Sequence, residues 1–100
     1  MALRYYADST WLYGVSDLNE ARARCLSILK YDRPIGTVLT VSAAEPHAEW
    51  KTRGTVRIWN GIPVWCDTKA HVYRILPSGR LGEPLGYSGT KRGFYRCRTS

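Results

Sequence analysis

The sequence predicts an α+β fold: an antiparallel sheet of about four to five strands, in β-α-β-β-β-β order, with one amphipathic helix packed on one face. Three observations carry this. Thr55 to Asp67 (TVRIWNGIPVWCD) is two apolar, β-branched and tryptophan-rich runs joined by Asn60-Gly61, the dipeptide suited to the two positive-φ positions of a type I′ hairpin turn. Ser16 to Tyr31 is the one clear segment of helical periodicity. Around these lie short alternating runs divided by Gly, Pro and Asp, the punctuation of a meander.

The two-residue loop sets the hairpin register. Trp59 pairs with Ile62, Ile58 with Pro63, Arg57 with Val64 and Val56 with Trp65. Trp59, Ile62 and Val64 then share a face with Arg57. Val56, Ile58, Pro63 and Trp65 form the other, uncharged until Asp67 and the better face for the core. Pro63 has no N–H for a further neighbour, which marks the second strand as a sheet edge or as bulged there. An edge of that kind leaves an edge-strand dimer open.

Leu3 to Ala7 reads as a first strand. Thr10 to Val15 either continues it past a bend at Asp8-Ser9 or returns against it over a tight turn, and Gly14 argues against a long regular strand. In the helix, Ser16 is the expected N-cap, with Asp17 and Glu20 in the first turn and Lys30 in the last, as the helix dipole favours. Leu18, Ala21, Cys25, Ile28 and Leu29 form the apolar stripe, with Asn19, Arg22 and Lys30 expected to face away. Asp32-Arg33-Pro34 stops the helix. Gly36 to Ala44 is a strand with Leu39 and Val41 on one face, and Glu45 to Gly54 is a polar connection. After the hairpin and a Thr68-Lys69 turn, Ala70 to Leu76 is a strand in which Val72, Arg74 and Leu76 alternate with His71, Tyr73 and Ile75. Pro77 to Arg80 turns the chain, and Gly82-Glu83-Pro84 is too rich in turn residues for more than a short return strand.

One hundred residues with 44% apolar content make one compact domain, residues 1–100, ending in a basic aromatic segment at 86–100. No apolar run approaches the roughly 20 residues of a membrane span. The opening MALRYYAD lacks the apolar core of a signal peptide, so the expected compartment is the cytoplasm. The three cysteines, Cys25, Cys66 and Cys97, are odd in number and far apart, which fits reduced thiols better than a disulfide framework.

Sites for chemistry are mostly missing. His47-Ala48-Glu49 has the form of the H-x-E element of zinc deaminases, but the Pro-Cys-x-x-Cys partner is absent. No Cys or His pair has metal-ligand spacing, and no G-x-S-x-G, phosphate-binding loop or dinucleotide fingerprint occurs. Cys25 on the helix stripe and Cys66 at a strand end read as buried structural thiols. The sequence therefore leans away from an enzyme and calls for no cofactor, metal or catalytic residue.

The charge balance points to a binding role instead. Fifteen Lys and Arg against eight acids give a net charge of +7, which attracts phosphate or an acidic protein face. Candidate contacts are Trp50, Lys51 and Arg53 in the polar connection, Arg57 and Trp59 on one hairpin face, and Tyr87, Lys91, Arg92, Tyr95, Arg96 and Arg98 in the tail, which has four basic residues and no acid. Bases interleaved with aromatics neutralise phosphates and stack nucleobases. The expected function is a small non-enzymatic binding protein whose partner is nucleic acid or an acidic surface of a nucleic-acid-handling complex. One such setting is a phage or mobile-element inhibitor of a host defence complex, an anti-CRISPR-like role.

A basic chain of this length, with His71-Val72-Tyr73-Arg74-Ile75 on a strand and a Lys/Arg/Tyr tail, is also similar to RelE-like mRNA-cleaving toxins. The resemblance implies a metal-independent ribonuclease in which His71, Tyr73 and Arg74 face the bases of the tail. That family places a two-helix hairpin before its sheet, whereas one helix fits here. The ribonuclease is the alternative function.

Overall fold

The computed structural model describes residues 3–34, 36–46 and 48–87, the Tyr87 side chain excepted. Its elements run β1 (Arg4–Ala7), β2 (Thr10–Trp11), α1 (Leu18–Tyr31), β3 (Val38–Ala44), β4 (Lys51–Trp59), β5 (Ile62–Asp67), β6 (His71–Ile75) and β7 (Leu81–Tyr87). The strands form one antiparallel sheet in the order β2-β1-β3-β4-β5-β6-β7, and α1 packs on one of its faces. This is the expected α+β architecture with seven strands rather than four to five. One addition is β2: the chain does not run on past Asp8-Ser9 but turns back, pairing Ala7 with Thr10 and Tyr6 with Trp11, with Asp8 at φ 56°.

The central hairpin has the register its turn dictates: Trp59 opposite Ile62, Ile58 opposite Pro63, Arg57 opposite Val64 and Val56 opposite Trp65. Asn60 and Gly61 take φ values of 50° and 79°, as a type I′ turn requires. The expectation that Pro63 marks an edge or a bulge is not met, because β5 is interior, between β4 and β6. The β5–β6 pairs begin at Val64 opposite Arg74, one residue beyond Pro63, so no neighbour asks for the missing N–H. Among the described residues the edges are β2 and β7.

Two segments expected to be irregular are strand. Lys51 to Gly54 belongs to β4, with Arg53 as the one extra residue between the pairs Val41–Gly54 and Ser42–Thr52. Gly54 admits the ring of Trp65, since a Cβ there would stand 2.5 Å from the indole. The segment with Gly82 and Pro84 is β7, seven residues long, with two register shifts against β6. Leu85 is the extra residue between the pairs Val72–Gly86 and Tyr73–Pro84. An edge strand tolerates this bulging and the proline.

The helix begins one residue later than its first capping signal. Asp17 is the N-cap, its Oδ1 accepting the Glu20 N–H at 2.9 Å, and the Glu20 carboxylate reaches back to the Ser16 N–H and hydroxyl at 2.8 and 2.9 Å. Ala21, Cys25 and Leu29 are buried against Tyr5, Ala7, Leu39, Val41, Val56 and Trp65 of the sheet. Arg22 does not face away as expected. It is 5% exposed: its Nε donates to the Gly79 carbonyl at 2.7 Å, an η nitrogen donates to Asn19 Oδ1, and the guanidinium lies 4.9 Å from the centre of the Trp65 ring. The spacing of Leu18, Arg22, Cys25 and Leu29 puts Arg22 on the packed stripe, and the carbonyl at its end removes the reason for a cation to turn outward. Burial lowers the Arg22 pKa from its usual value, and Asp17 opposes that shift. Gly79, at φ 95°, has no room for a side chain, since a Cβ would fall 1.9 Å from the Asn19 carbonyl oxygen.

This junction between helix, turn and indole yields a stability test. Arg22→Met keeps the apolar stem but leaves the Gly79 carbonyl without its donor, and is expected to cost about 1–3 kcal/mol in urea unfolding. Gly79→Ala adds left-handed backbone strain to a backbone clash and is expected to cost about 2 kcal/mol or more. Wild-type midpoints for both variants would refute the junction.

Candidate functional site

Pairing fixes which residues share the sheet face opposite α1. One cross-strand row is Val38, Arg57, Val64 and Arg74, and the next is Thr40, Thr55, Cys66 and Val72. Towards the other end come Trp11, Tyr6, Ser42 and Thr52, then Arg4 beside Ala44. Across β1 to β6 these positions include Arg4, Arg57 and Arg74 and no acid. Several acids are engaged elsewhere by backbone N–H groups. Asp8 accepts from Thr40, Asp17 from Glu20, Glu20 from Ser16, and Asp67 from Lys69 and His71. The local chemistry of turns and caps thus draws negative charge away from this face.

The face has two distinct ends. At the hairpin end Val64, Val72 and Leu85 form a small buried cluster with Trp59, Ile62 and Cys66 packed on it. Arg57 and Arg74 flank Val64 there. At the β1–β2 end the side chains are aromatic and exposed. Trp50, just before β4, stacks on Tyr6 with ring centres 4.1 Å apart and planes 22° from parallel. Ser42 and Ala44, small and buried, are the β3 residues paired with Tyr6 and Arg4. Tyr6 faces Trp11 across the β1–β2 pair. Trp11 meets Tyr13 edge to face at 4.8 Å, and the Arg4 guanidinium lies 5.2 Å from a Trp11 ring centre. Trp11 and Trp50 remain 47% exposed and Tyr13 71%.

The candidate contacts read from sequence are therefore divided. Trp50 lies in the aromatic cluster. Arg57 and Trp59 lie towards the far end of the same face, about 23 and 30 Å away along β4 at the usual rise per strand residue. Lys51 is exposed but pairs with Ala43, a residue of the helix-side core, and the exposed Arg53 is the bulge residue of β4. Tyr87 closes β7, its backbone opposite His71. Lys91, Arg92, Tyr95, Arg96 and Arg98 lie outside the described residues, as does His47. Sequence reasoning missed Arg4, Tyr6, Trp11 and Tyr13 as site residues, and gave Arg74 a place only in the ribonuclease alternative. The signal was present: closing the Asp8-Ser9 turn brings Trp11 opposite Tyr6, and alternation puts Arg4 beside them.

His71, Tyr73 and Arg74 do not converge. Tyr73 pairs with Trp65 and packs on the helix-side core, while Arg74 pairs with Val64 on the open face. Among the described residues no group of three or more His, Cys, Asp or Glu is placed to hold a metal ion. No helix among them is long and apolar enough to cross a membrane. Cys25 is fully buried, and desolvation, reinforced by Asp8 and opposed by Arg24, pushes its thiol up to about 12.

No family model matches the chain, and comparison with curated proteins and with solved structures gave no match.

The raised thiol predicts a pH dependence. Between the ordinary pKa of 9.0 and about 12 the unfolded chain releases the Cys25 proton while the folded chain keeps it. The folded state therefore binds more protons, and stability falls as pH rises through that window. Cys25→Ala should remove this component, so denaturation above pH 9 is expected to show a shallower decline in the variant than in wild type. Native protein at pH 8 should also resist alkylation at Cys25 until it unfolds.

Proposed function

We propose that the protein is a non-enzymatic nucleic-acid-binding domain that engages its ligand with the helix-free face of its sheet. The observation that carries this is the segregation of charge: Arg4, Arg57 and Arg74 on paired positions of β1 to β6, with no acid among them. Arginines spaced along a face suit a run of phosphates, and the net charge of +7 favours encounter with a polyanion. The exposed rings at one end supply the apolar complement that phosphate contacts lack. A phage or mobile-element factor acting on a nucleoprotein defence complex is one setting for such a surface. The ribonuclease alternative draws no support from β6, whose alternation sends Tyr73 and Arg74 to opposite faces.

Fluorescence anisotropy with labelled oligonucleotides across salt tests the proposal. Binding should weaken linearly in log affinity against log salt between about 50 and 200 mM. Arg57→Gln and Arg74→Gln, checked for unchanged thermal midpoints, should each weaken binding and reduce the magnitude of the salt slope by about 0.7–0.9. Arg24→Gln on the exposed side of α1 should change neither strongly. Absence of binding at the lowest salt, for duplex and single strand alike, would defeat the proposal and direct the search to an acidic protein partner by pull-down.

A further inference from the structure

Resting on that reading, we propose that the cluster of Tyr6, Trp11, Tyr13 and Trp50 is a stacking site for unpaired bases, so that the ligand of the open face is single-stranded nucleic acid rather than duplex.

The argument begins with what the rings are doing. Elsewhere the chain buries large aromatic side chains readily, as with Tyr5 and Trp65 in the main core. At the β1–β2 end it instead holds three large rings in water within one connected group, and contiguous exposed apolar surface of this kind marks a binding site. The Trp50 ring has one face on Tyr6 and the residue is almost half exposed, which leaves aromatic surface accessible to a ligand. Trp11 and Tyr13 meet edge to face, and the Arg4 guanidinium lies over the Trp11 ring. The cluster thus offers two indole stations.

The chemistry of those stations selects the ligand. Paired bases expose only their edges in the grooves, and edges are read by hydrogen-bonding side chains. In this cluster the hydrogen-bonding groups are the tyrosine hydroxyls and indole N–H groups at the ring rims, with Arg4 as the cation over Trp11, and the exposed area belongs chiefly to aromatic residues. A flat π surface gains from another flat π surface, which a base offers only once it is unstacked. Arg4, whose guanidinium lies over one face of the Trp11 ring, adds a cation next to that station that a phosphate of the bound strand could meet. Stacking is tolerant of base identity and acts on the base rather than the sugar, so RNA and DNA single strands share the recognised chemistry.

The experiment compares oligo(dT), oligo(U) and a duplex of matching length by anisotropy, using wild type, Trp11→Ala, Trp50→Ala, Trp11→Phe and Arg4→Gln. Single strands should bind more tightly than duplex. Each Trp→Ala change should weaken single-strand binding about tenfold, with the salt slope unchanged, because a ring neutralises no phosphate. Trp11→Phe keeps a stacking surface and should recover much of the loss, which separates stacking from misfolding. Arg4→Gln should lower the slope magnitude by about 0.7. Equal affinity for duplex and single strand, or Trp→Ala variants that bind single strands like wild type, would overturn the stacking site and leave the open-face reading standing. No binding to any oligonucleotide would overturn both, and a dimer that Trp11→Ala dissolves would then assign the cluster to a second copy of the chain.

Discussion

The buried guanidinium of Arg22 anchors α1 on the sheet. It ties α1 to the β6–β7 turn through the Gly79 carbonyl and rests on the Trp65 indole in mid-sheet. Gly79 presses against the Asn19 carbonyl at a distance only glycine permits. A cation held between a carbonyl, an amide and an aromatic face is compensated for its lost hydration. The consequence is positional. A helix of fourteen residues is about 21 Å long at 1.5 Å per residue. The seven strands at their usual spacing extend about 29 Å. One such helix covers part of one face and none of the other.

Among the described residues no helix lies on the opposite face, and that face gains its stability by other means. At the hairpin end it does so with a small apolar cluster around Val64 and Val72, to which Leu85 contributes because a bulge displaces it from the regular register. In the middle it uses Thr40, Thr55 and Ser42, side chains that suit a pleated, half-wet surface. At the β1–β2 end it uses rings stacked on one another. Across β1 to β6 the same face carries arginine without acid, and Asp8, Asp17, Glu20 and Asp67 are held at turns and caps by backbone N–H groups. These four acids sit where turns and helix ends need acceptors.

Much of this was legible in the residues. The Asn60-Gly61 turn gave the hairpin register pair by pair, since a two-residue loop leaves no alternative phase. The helix was legible from its period and caps. What escaped was decided by tertiary context. Arg22 looked solvent-facing because its partner, a turn carbonyl, lies 57 residues away in sequence. Gly54, Gly82 and Pro84 resembled turn residues, yet Gly54 makes room for an indole and the other two sit on a bulged edge. Pro63 has the signature of an edge or a bulge, yet β5 is interior because the adjoining ladder begins one residue later. Of the candidate contacts, Trp50 belongs to the aromatic cluster, but its neighbours there come from β1 and β2 rather than from its own segment. Proximity in sequence grouped it with Lys51 and Arg53. Pairing across strands groups it with Tyr6 and Trp11.

That regrouping bears on how the cluster can bind. Large side chains on a surface ordinarily lose rotamer freedom when a ligand orders them, and this opposes affinity. Here much of that order exists beforehand. Trp50 is already laid on Tyr6, and Trp11 is already set between Arg4 and Tyr13. Tyr6 is in turn held by its strand pairing to β3 on one side and β2 on the other. The strand that completes the group, β2, is two residues long, which limits the edge available for pairing with another chain while still carrying one indole into place. On the proposed reading, such a cluster would meet a single strand through preformed flat surfaces on a sheet backed by α1, and its specificity would follow from what can lie flat against it.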